Sequence, residues 1–297
     1  MSRTDTNKIL ELFGNSTRRK HGWRQVVDQQ SCPFANVKCF KVRKSEPDVS
    51  IGTCSVRFGR GNRDIIICPN RLLERRQVFT DCLQLLTQHD PGNELHVLSE
   101  VSIPGGSVDY FVASVDRGKV KDFVAIEFQT MDTTGTIWPE RQRLLKELKI
   151  PIRRGEGDSR KSFGINWKMT AKTILIQLHH KVATLEHVGK HLVLVIQDHL
   201  LEYLNREFEF GHLKEVRVGD PFHIHSYRLE EAGGKFKIRL DRRLSSDAAG
   251  VAKCLGIQAK TKIELEVIVA ALEKKLSDKT LLTMDSPLAL AEEMPAE

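Results

Sequence analysis

A mixed α/β fold of the α+β kind is predicted for this chain, and three stretches carry the prediction. Residues 107–129 alternate polar and apolar side chains around a turn, which reads as a β-hairpin. The run HLVLVIQ, His191–Gln197, is apolar without interruption, the pattern of a strand buried on both faces. Between them a helical periodicity extends over about 167–189, starting after Asn166.

The remaining elements follow in chain order. Residues 1–30 read as short helices, with Ile9, Leu10, Leu12 and Phe13 as the buried set. Short β-like runs are expected at 37–42, 53–58 and 64–67, with a turn marked by Gly59, Gly61 and Asn62. Pro69 suits the first turn of a helix. That helix is expected over about 70–88, with Leu72, Leu73, Phe79, Leu83 and Leu86 on its apolar side. A strand near 94–101 precedes the hairpin, whose strands are 107–113 and 123–129 and whose turn is Asp116-Arg117-Gly118-Lys119. Pro139 opens a short helix over about 140–148, and a polar loop with Gly155, Gly157, Asp158 and Ser159 leads to the long helix. A second hairpin over 222–241 turns at Gly233-Gly234, helices follow near 246–255 and 261–275, and 279–297 reads as a frayed acidic tail. The expected division is a helical and four-cysteine metal-binding subdomain at 1–69, a core at 70–200, a hairpin and helices packed on it at 201–278, and the tail.

The charge balance narrows the partners. The 46 Lys and Arg against 39 Asp and Glu leave +7, which suits a polyanion without requiring one. No run of 18 apolar residues would span a membrane, and the N-terminus lacks the apolar stretch of a signal peptide. A cytoplasmic protein is expected. Disulfides are rare there, so the six cysteines call for another account.

The hairpin carries the first candidate chemistry. A turn centred near Gly118 sets Glu127 opposite Asp109 and Ala125 opposite Phe111, and puts Gln129 on the face of Glu127. Glu100 arrives from the preceding strand. Carboxylates at the end of an apolar strand are costly without a counter-charge. Magnesium takes such oxygen ligands, activates water and neutralises phosphate charge. The same residues also suit an ordinary solvated hairpin face.

The cysteines carry the second. Cys32, Cys39, Cys54 and Cys68 are spaced C-x6-C-x14-C-x13-C in turn-rich surroundings. Four thiolates can close a tetrahedral zinc or iron site, and four reduced cysteines can equally pack as small hydrophobes. Cys82 and Cys254 read as core. His223 and His225 read as an exposed strand face, not as metal ligands, and His179, His180 and His199 get no chemical role. Lys38, Lys41, Arg43, Lys44, Arg57, Arg60, Arg63, Arg141 and Arg143 are candidates for phosphate or guanine contacts, or are solvated charges.

Helix, three strands, helix, strand, with Asp109 on the second strand and Glu127-x-Gln129 ending the third, resembles the PD-(D/E)xK nuclease core over about 70–197. The chain departs from that pattern twice. Pro104 lies five residues before Asp109, and Gln129 stands at the lysine position, where it can orient water only through neutral hydrogen bonds. The stretches SCPFANVKCFKVRKSEPDVSIGTCSVRFG, DIIICPNRLLER, EVSIPGGSVDYFVASV and DFVAIEFQTMDTTGT together resemble the NotI-type restriction endonucleases over roughly 30–200.

That resemblance implies a type II restriction endonuclease with magnesium at Asp109 and Glu127. Gln129 would position the water and Glu100 would assist. It also implies a structural iron held by Cys32, Cys39, Cys54 and Cys68, with zinc as the alternative. It further implies a homodimer cutting GC-rich palindromes in double-stranded DNA, with a cognate DNA methyltransferase in the same bacterial host. The family tolerates glutamine at the lysine position. Two other readings remain open, a non-catalytic metal-containing DNA-binding protein and a repair nuclease without site specificity. Magnesium dependence separates the first from an enzyme, and discrete fragments separate the second.

Overall fold

The computed structural model describes residues 8–104, 106–152 and 162–254. The polar loop at 155–159, the helix at 261–275 and the tail lie outside the described residues. Residues up to Ile257 gather into one compact unit. Among the described residues no helix is long and apolar enough to cross a membrane.

The centre is a seven-stranded mixed sheet. Three consecutive strands form an antiparallel meander. Their spans, in order of the other strands named here, are β4 (Glu94–Ile103), β5 (Gly106–Asp116) and β6 (Lys119–Gln129). β7 (His191–Gln197) then pairs parallel to β6, and β8 (Phe222–Ala232) pairs parallel to β7. β9 (Lys235–Ser246) returns antiparallel to β8, and the two-residue strand Lys214–Glu215 completes that edge. A smaller sheet holds β1 (Lys8–Leu12), β2 (Thr53–Phe58) and β3 (Arg63–Ile66), with Asn15–Ser16 at its edge.

Side-chain alternation gives the large sheet two apolar faces. Phe111, Ala125, Leu192, Leu194 and Ile196 point to one face, and Val112, Val124, Ile126, Val193 and Val195 to the other. Helices cover the first face. α1 (Trp23–Gln29) belongs to the small-sheet region. α2 (Trp138–Glu147) brings Leu145, α3 (Trp167–His187) brings Ile174, Leu178, Val182 and Leu185, and α4 (Asp198–Glu207) brings Leu200, Leu201 and Leu204. α5 (Ala248–Cys254) adds Val251 and Cys254. α3 starts where Asn166 accepts a hydrogen bond from the Met169 amide at 3.3 Å, a cap that contributes on the order of 1 kcal/mol. Leu72, Val78, Phe79, Cys82, Leu85 and Leu86 cover the second face.

The α+β class holds, and so do β2, β7, α3 and both hairpins close to their expected bounds. Three expectations need correction, and one element was not foreseen. Residues 8–12 form a strand, not a helix. Ile9, Leu10, Leu12 and Phe13 are all buried as expected, but Phe13 and Gly14 both take positive φ and turn the chain back on itself as a two-residue hairpin. The single helix at 70–88 is instead a 3-10 segment Pro69–Arg76, an α-turn Gln77–Thr80 and a 3-10 turn Leu83–Leu85. Helical φ/ψ is lost at Glu74 and Arg75, where the chain spends its polar side chains on neighbours. Arg71 bonds both oxygens of Glu11 at 3.0 and 2.8 Å, and Glu74 at 2.9 Å. Glu74 also accepts from the Ile238 amide at 2.8 Å. His223 and His225 are fully buried rather than exposed, because they alternate with Ile224 onto the sheet face of Tyr227, where His225 lies against the buried Cys82. Finally, α4 is an element the sequence pattern did not mark.

Candidate active site and cysteine cavity

The hairpin register is the one expected. The ladder pairs Phe111 with Ala125 and ends at Tyr110 with Ile126; one residue further out Asp109 comes level with Glu127, and its carboxylate takes the Phe128 amide. Arg117 and Gly118, both with positive φ, make the two-residue turn, and a β-bulge between Val115 and Ser114 shifts the pairing by one residue into the register that brings Glu127 level with Asp109. On the other side, Val108 pairs with Val101 and Tyr110 with Ser99, which sets Glu100 opposite Asp109. Glu100, Asp109 and Glu127 therefore form one row across three adjacent strands. Glu100 has φ 55, a left-handed backbone inside a strand, and strain of this kind costs on the order of 1–3 kcal/mol and gathers at functional positions.

Each carboxylate is held differently. Asp109 is half-buried and accepts from the Phe128 amide at 2.8 Å. Glu127 is 6% exposed and accepts from the Lys181 ammonium at 2.6 Å. Burial pushes the Glu127 carboxyl up to about 7; the Lys181 hydrogen bond opposes this and the Asp109 charge adds to it. Glu100 is exposed. Gln129 lies on the same face as Glu127, half-buried, and its amide donates to the Thr130 carbonyl at 2.7 Å. Two like-charged carboxylates, one of them poorly solvated, make a hard oxygen donor set that fits a magnesium-class cation.

The four predicted metal-ligating cysteines lie in one region. Cys32, Cys39, Cys54 and Cys68 are buried free thiols lining a single small cavity with Phe13, Phe40, Thr53 and Asn70. As placed they share the cavity without closing a cage. Among the described residues no three or more His, Cys, Asp or Glu side chains stand as a ready-made metal site. The surroundings favour thiolate at Cys68, while burial raises Cys39. Cys54 and Cys68 share a hydrogen bond, which raises Cys54 and, aided by the charge of Lys41, lowers Cys68 to about 6. Backbone hydrogen bonds from Asn70 and Arg71 reach Cys68, and others from Lys41 and Gly52 reach Cys39. A soft four-sulfur donor set with amides aimed at the sulfurs fits zinc or iron.

The sequence family described as "Restriction endonuclease NotI" matches residues 16–237, well over half of the chain and both of these regions. The chain belongs to the NotI restriction endonuclease family. No match was found among curated proteins. Membership in the NotI family makes this a DNA-cleaving enzyme of the type II restriction class, a site-specific deoxyribonuclease.

Against that identity the basic residues sort into two groups. Arg141 is buried, donating to the Ile51 carbonyl at 2.7 Å, so it is a structural group and not a surface contact. Arg57 is paired with Asp64 at 2.7 and 2.8 Å, Arg43 with Glu46 at 2.5 Å, and Arg143 with Glu140. Lys41 donates to the Ile67 carbonyl. Lys38, Lys44, Arg60 and Arg63 are exposed, with the Lys38 ammonium donating to the Asp48 carbonyl at 3.1 Å and the Arg63 guanidinium 5.8 Å from the Trp167 ring centre. Sequence reasoning missed Lys181. Its signal is a lysine within the apolar stripe Ile174, Leu178, Val182 and Leu185, where the helix faces the sheet.

Proposed function

We propose that this chain is a homodimeric type II restriction endonuclease that cuts both strands of a GC-rich palindrome by magnesium-dependent phosphodiester hydrolysis at Asp109 and Glu127, on the pattern of the PD-(D/E)xK nucleases. The observation that carries the reading is the row Glu100, Asp109, Glu127 across three adjacent strands, in a chain of a restriction endonuclease family.

Each side chain has a task under this reading. Asp109 and Glu127 hold magnesium, which when bound supplies neutralisation of the phosphate and a lower pKa for water. The Phe128 amide fixes Asp109 and the Lys181 ammonium fixes Glu127. Gln129 spends its NH2 on Thr130, which leaves its carbonyl oxygen to accept from the attacking water. Glu100 assists from the strained edge of the row. Cys32, Cys39, Cys54 and Cys68 hold a structural ion; iron is the choice the family resemblance favours, and zinc is the alternative. A cutter of this kind calls for a methyltransferase that protects the DNA of its bacterial host.

The test is digestion of a GC-rich plasmid with magnesium and then with EDTA. Discrete fragments with magnesium alone are expected. A smear would replace this reading with a nuclease lacking site specificity. Retention of DNA with no cutting would replace it with a metal-containing DNA-binding protein.

A further inference from the structure

Phosphodiester hydrolysis builds negative charge on the phosphate, and carboxylates alone repel it. A site of this kind draws on a fixed positive charge close to the reacting group. Gln129, two residues beyond Glu127, is neutral and is turned toward its own backbone at Thr130.

Lys181 arrives from α3, on the sheet face that carries Glu127, and its ammonium lies 2.6 Å from Glu127 Oε1. Its side chain is 9% exposed. Lysines are almost never this buried unless paired, and burying an ion pair in place of apolar packing adds little to stability. Leu178, Val182 and Leu185 around it show that the position is one where an apolar side chain would pack. A residue that breaks the pattern of its own helix points to function.

The opposite wall is cut to fit. Gly106, the first residue of β5, has φ 129, and a Cβ there would lie 3.3 Å from Lys181 Cε. A side chain at this position would press on the lysine stem. Glycine, which the positive φ also calls for, leaves room for the stem. The burial and the contact with Glu127 are the two observations that carry the argument.

We propose that Lys181 supplies the positive charge for phosphate cleavage, from the long helix, in place of a cation at position 129. The proposal rests on the nuclease reading above. A counter-ion that only holds the fold together would occupy the same place, so the test must read charge at the site and not folding alone.

The experiment compares single-turnover nicking of a supercoiled GC-rich plasmid by wild type, K181M, K181R and the double variant K181M/Q129K. Retention of the same plasmid in calcium and circular dichroism are measured in parallel. K181M is expected to slow nicking by about 100-fold or more while DNA retention stays within about threefold. K181R, or a lysine restored on the same face in K181M/Q129K, is expected to recover about tenfold or more of the lost rate. K181Q, which keeps a polar stem, replaces K181M in the series if K181M does not fold. Nicking by the single variant within threefold of wild type overturns the proposal. So does a lost rate that neither K181R nor the double variant recovers, which is the mark of a structural counter-ion. A wild-type protein that nicks no DNA overturns the nuclease reading itself, and the proposal with it.

Discussion

Glu127 is the residue on which most of the chemistry converges, since it touches Lys181, lies beside Asp109 and sits in the buried part of β6. Replacing it by glutamine keeps the volume and a hydrogen-bond acceptor for Lys181 but removes the charge. We expect Glu127→Gln to cut DNA about three orders of magnitude more slowly, since the ion it would hold is worth several kcal/mol in the transition state. DNA binding measured in calcium should change little, because affinity comes mainly from phosphate contacts elsewhere. Plasmid cutting by this variant near the wild-type rate would remove Glu127 from the site. The pairing of Phe111 with Ala125 was legible because period two and a turn near Gly118 nearly fix a hairpin register locally, but the β-bulge at Ser114 and Val115 that completes that register was not. Lys181 was not, because its role depends on how α3 docks 54 residues away in sequence from Glu127. Helical periodicity reports which face is apolar but not which strand residue that face meets.

Among the elements, strands with a continuous or alternating apolar pattern were read almost to the residue, while the cover of the second sheet face was not. The stretch at 70–88 has helical composition, but the buried network of Arg71, Glu11 and Glu74 sets its path. Arg71 is completely buried and also donates to the Phe236 carbonyl at 2.8 Å, tying β1, the 3-10 segment and β9 together. Arg71→Ala leaves Glu11 buried without its cation. We expect a loss of about 3–5 kcal/mol in urea unfolding, the usual cost of removing one partner from a buried pair; a loss under about 1 kcal/mol would make the network incidental. The buried histidines of β8 give a second test at this scale. His225 is pushed down to about 3 by burial first, then by the charges of Arg243 and His223; its Nδ1 lies 3.7 Å from Cys82 Sγ. His223 is pushed down to about 4 by burial and by His191, although it donates to the Asp220 carbonyl at 2.7 Å. Both are neutral in the fold and gain a proton near pH 6.5 when unfolded. Their contribution is complete above about pH 6.5 and is lost as pH falls toward the folded values, at up to about 1.4 kcal/mol per pH unit for each histidine. The Glu127 carboxyl, pushed up to about 7, works in the opposite sense over the same range, so the reading is a difference: between pH 7.5 and 5 the urea midpoint of wild type should fall more, or rise less, than that of His225→Leu. Equal pH dependence in the variant would rule His225 out as its source.

For the whole molecule, two properties depend on matter beyond this one chain. The first is the ion of the cysteine cavity. Purified protein prepared without chelator should contain one iron per chain and be coloured when oxidised, or contain one colourless zinc. A chelator that removes it should lower the melting temperature, because binding energy at a structural site is folding energy. Metal analysis finding neither element would leave the four thiols as packing residues alone. The second is assembly. Each chain carries one row of Glu100, Asp109 and Glu127, and one such row can hydrolyse one phosphodiester at a time. A double-strand break requires two cuts on antiparallel strands, which two copies related by a two-fold axis supply together. Two-fold symmetry in the protein imposes two-fold symmetry on the DNA, so the target must be a palindrome. The surplus of arginine and lysine, +7 in all, suits guanine-rich sites, because arginine pairs bidentately with guanine in the major groove. Light scattering should therefore give twice the chain mass of 33.7 kDa, and sequencing of ends from digested genomic DNA should give one GC-rich palindrome with symmetric cuts. A monomer making asymmetric cuts would defeat the symmetry argument. A dimer cutting an AT-rich palindrome would keep that argument and defeat the choice of bases, because the first follows from the number of sites per chain and the second from the resemblance to the NotI-type enzymes.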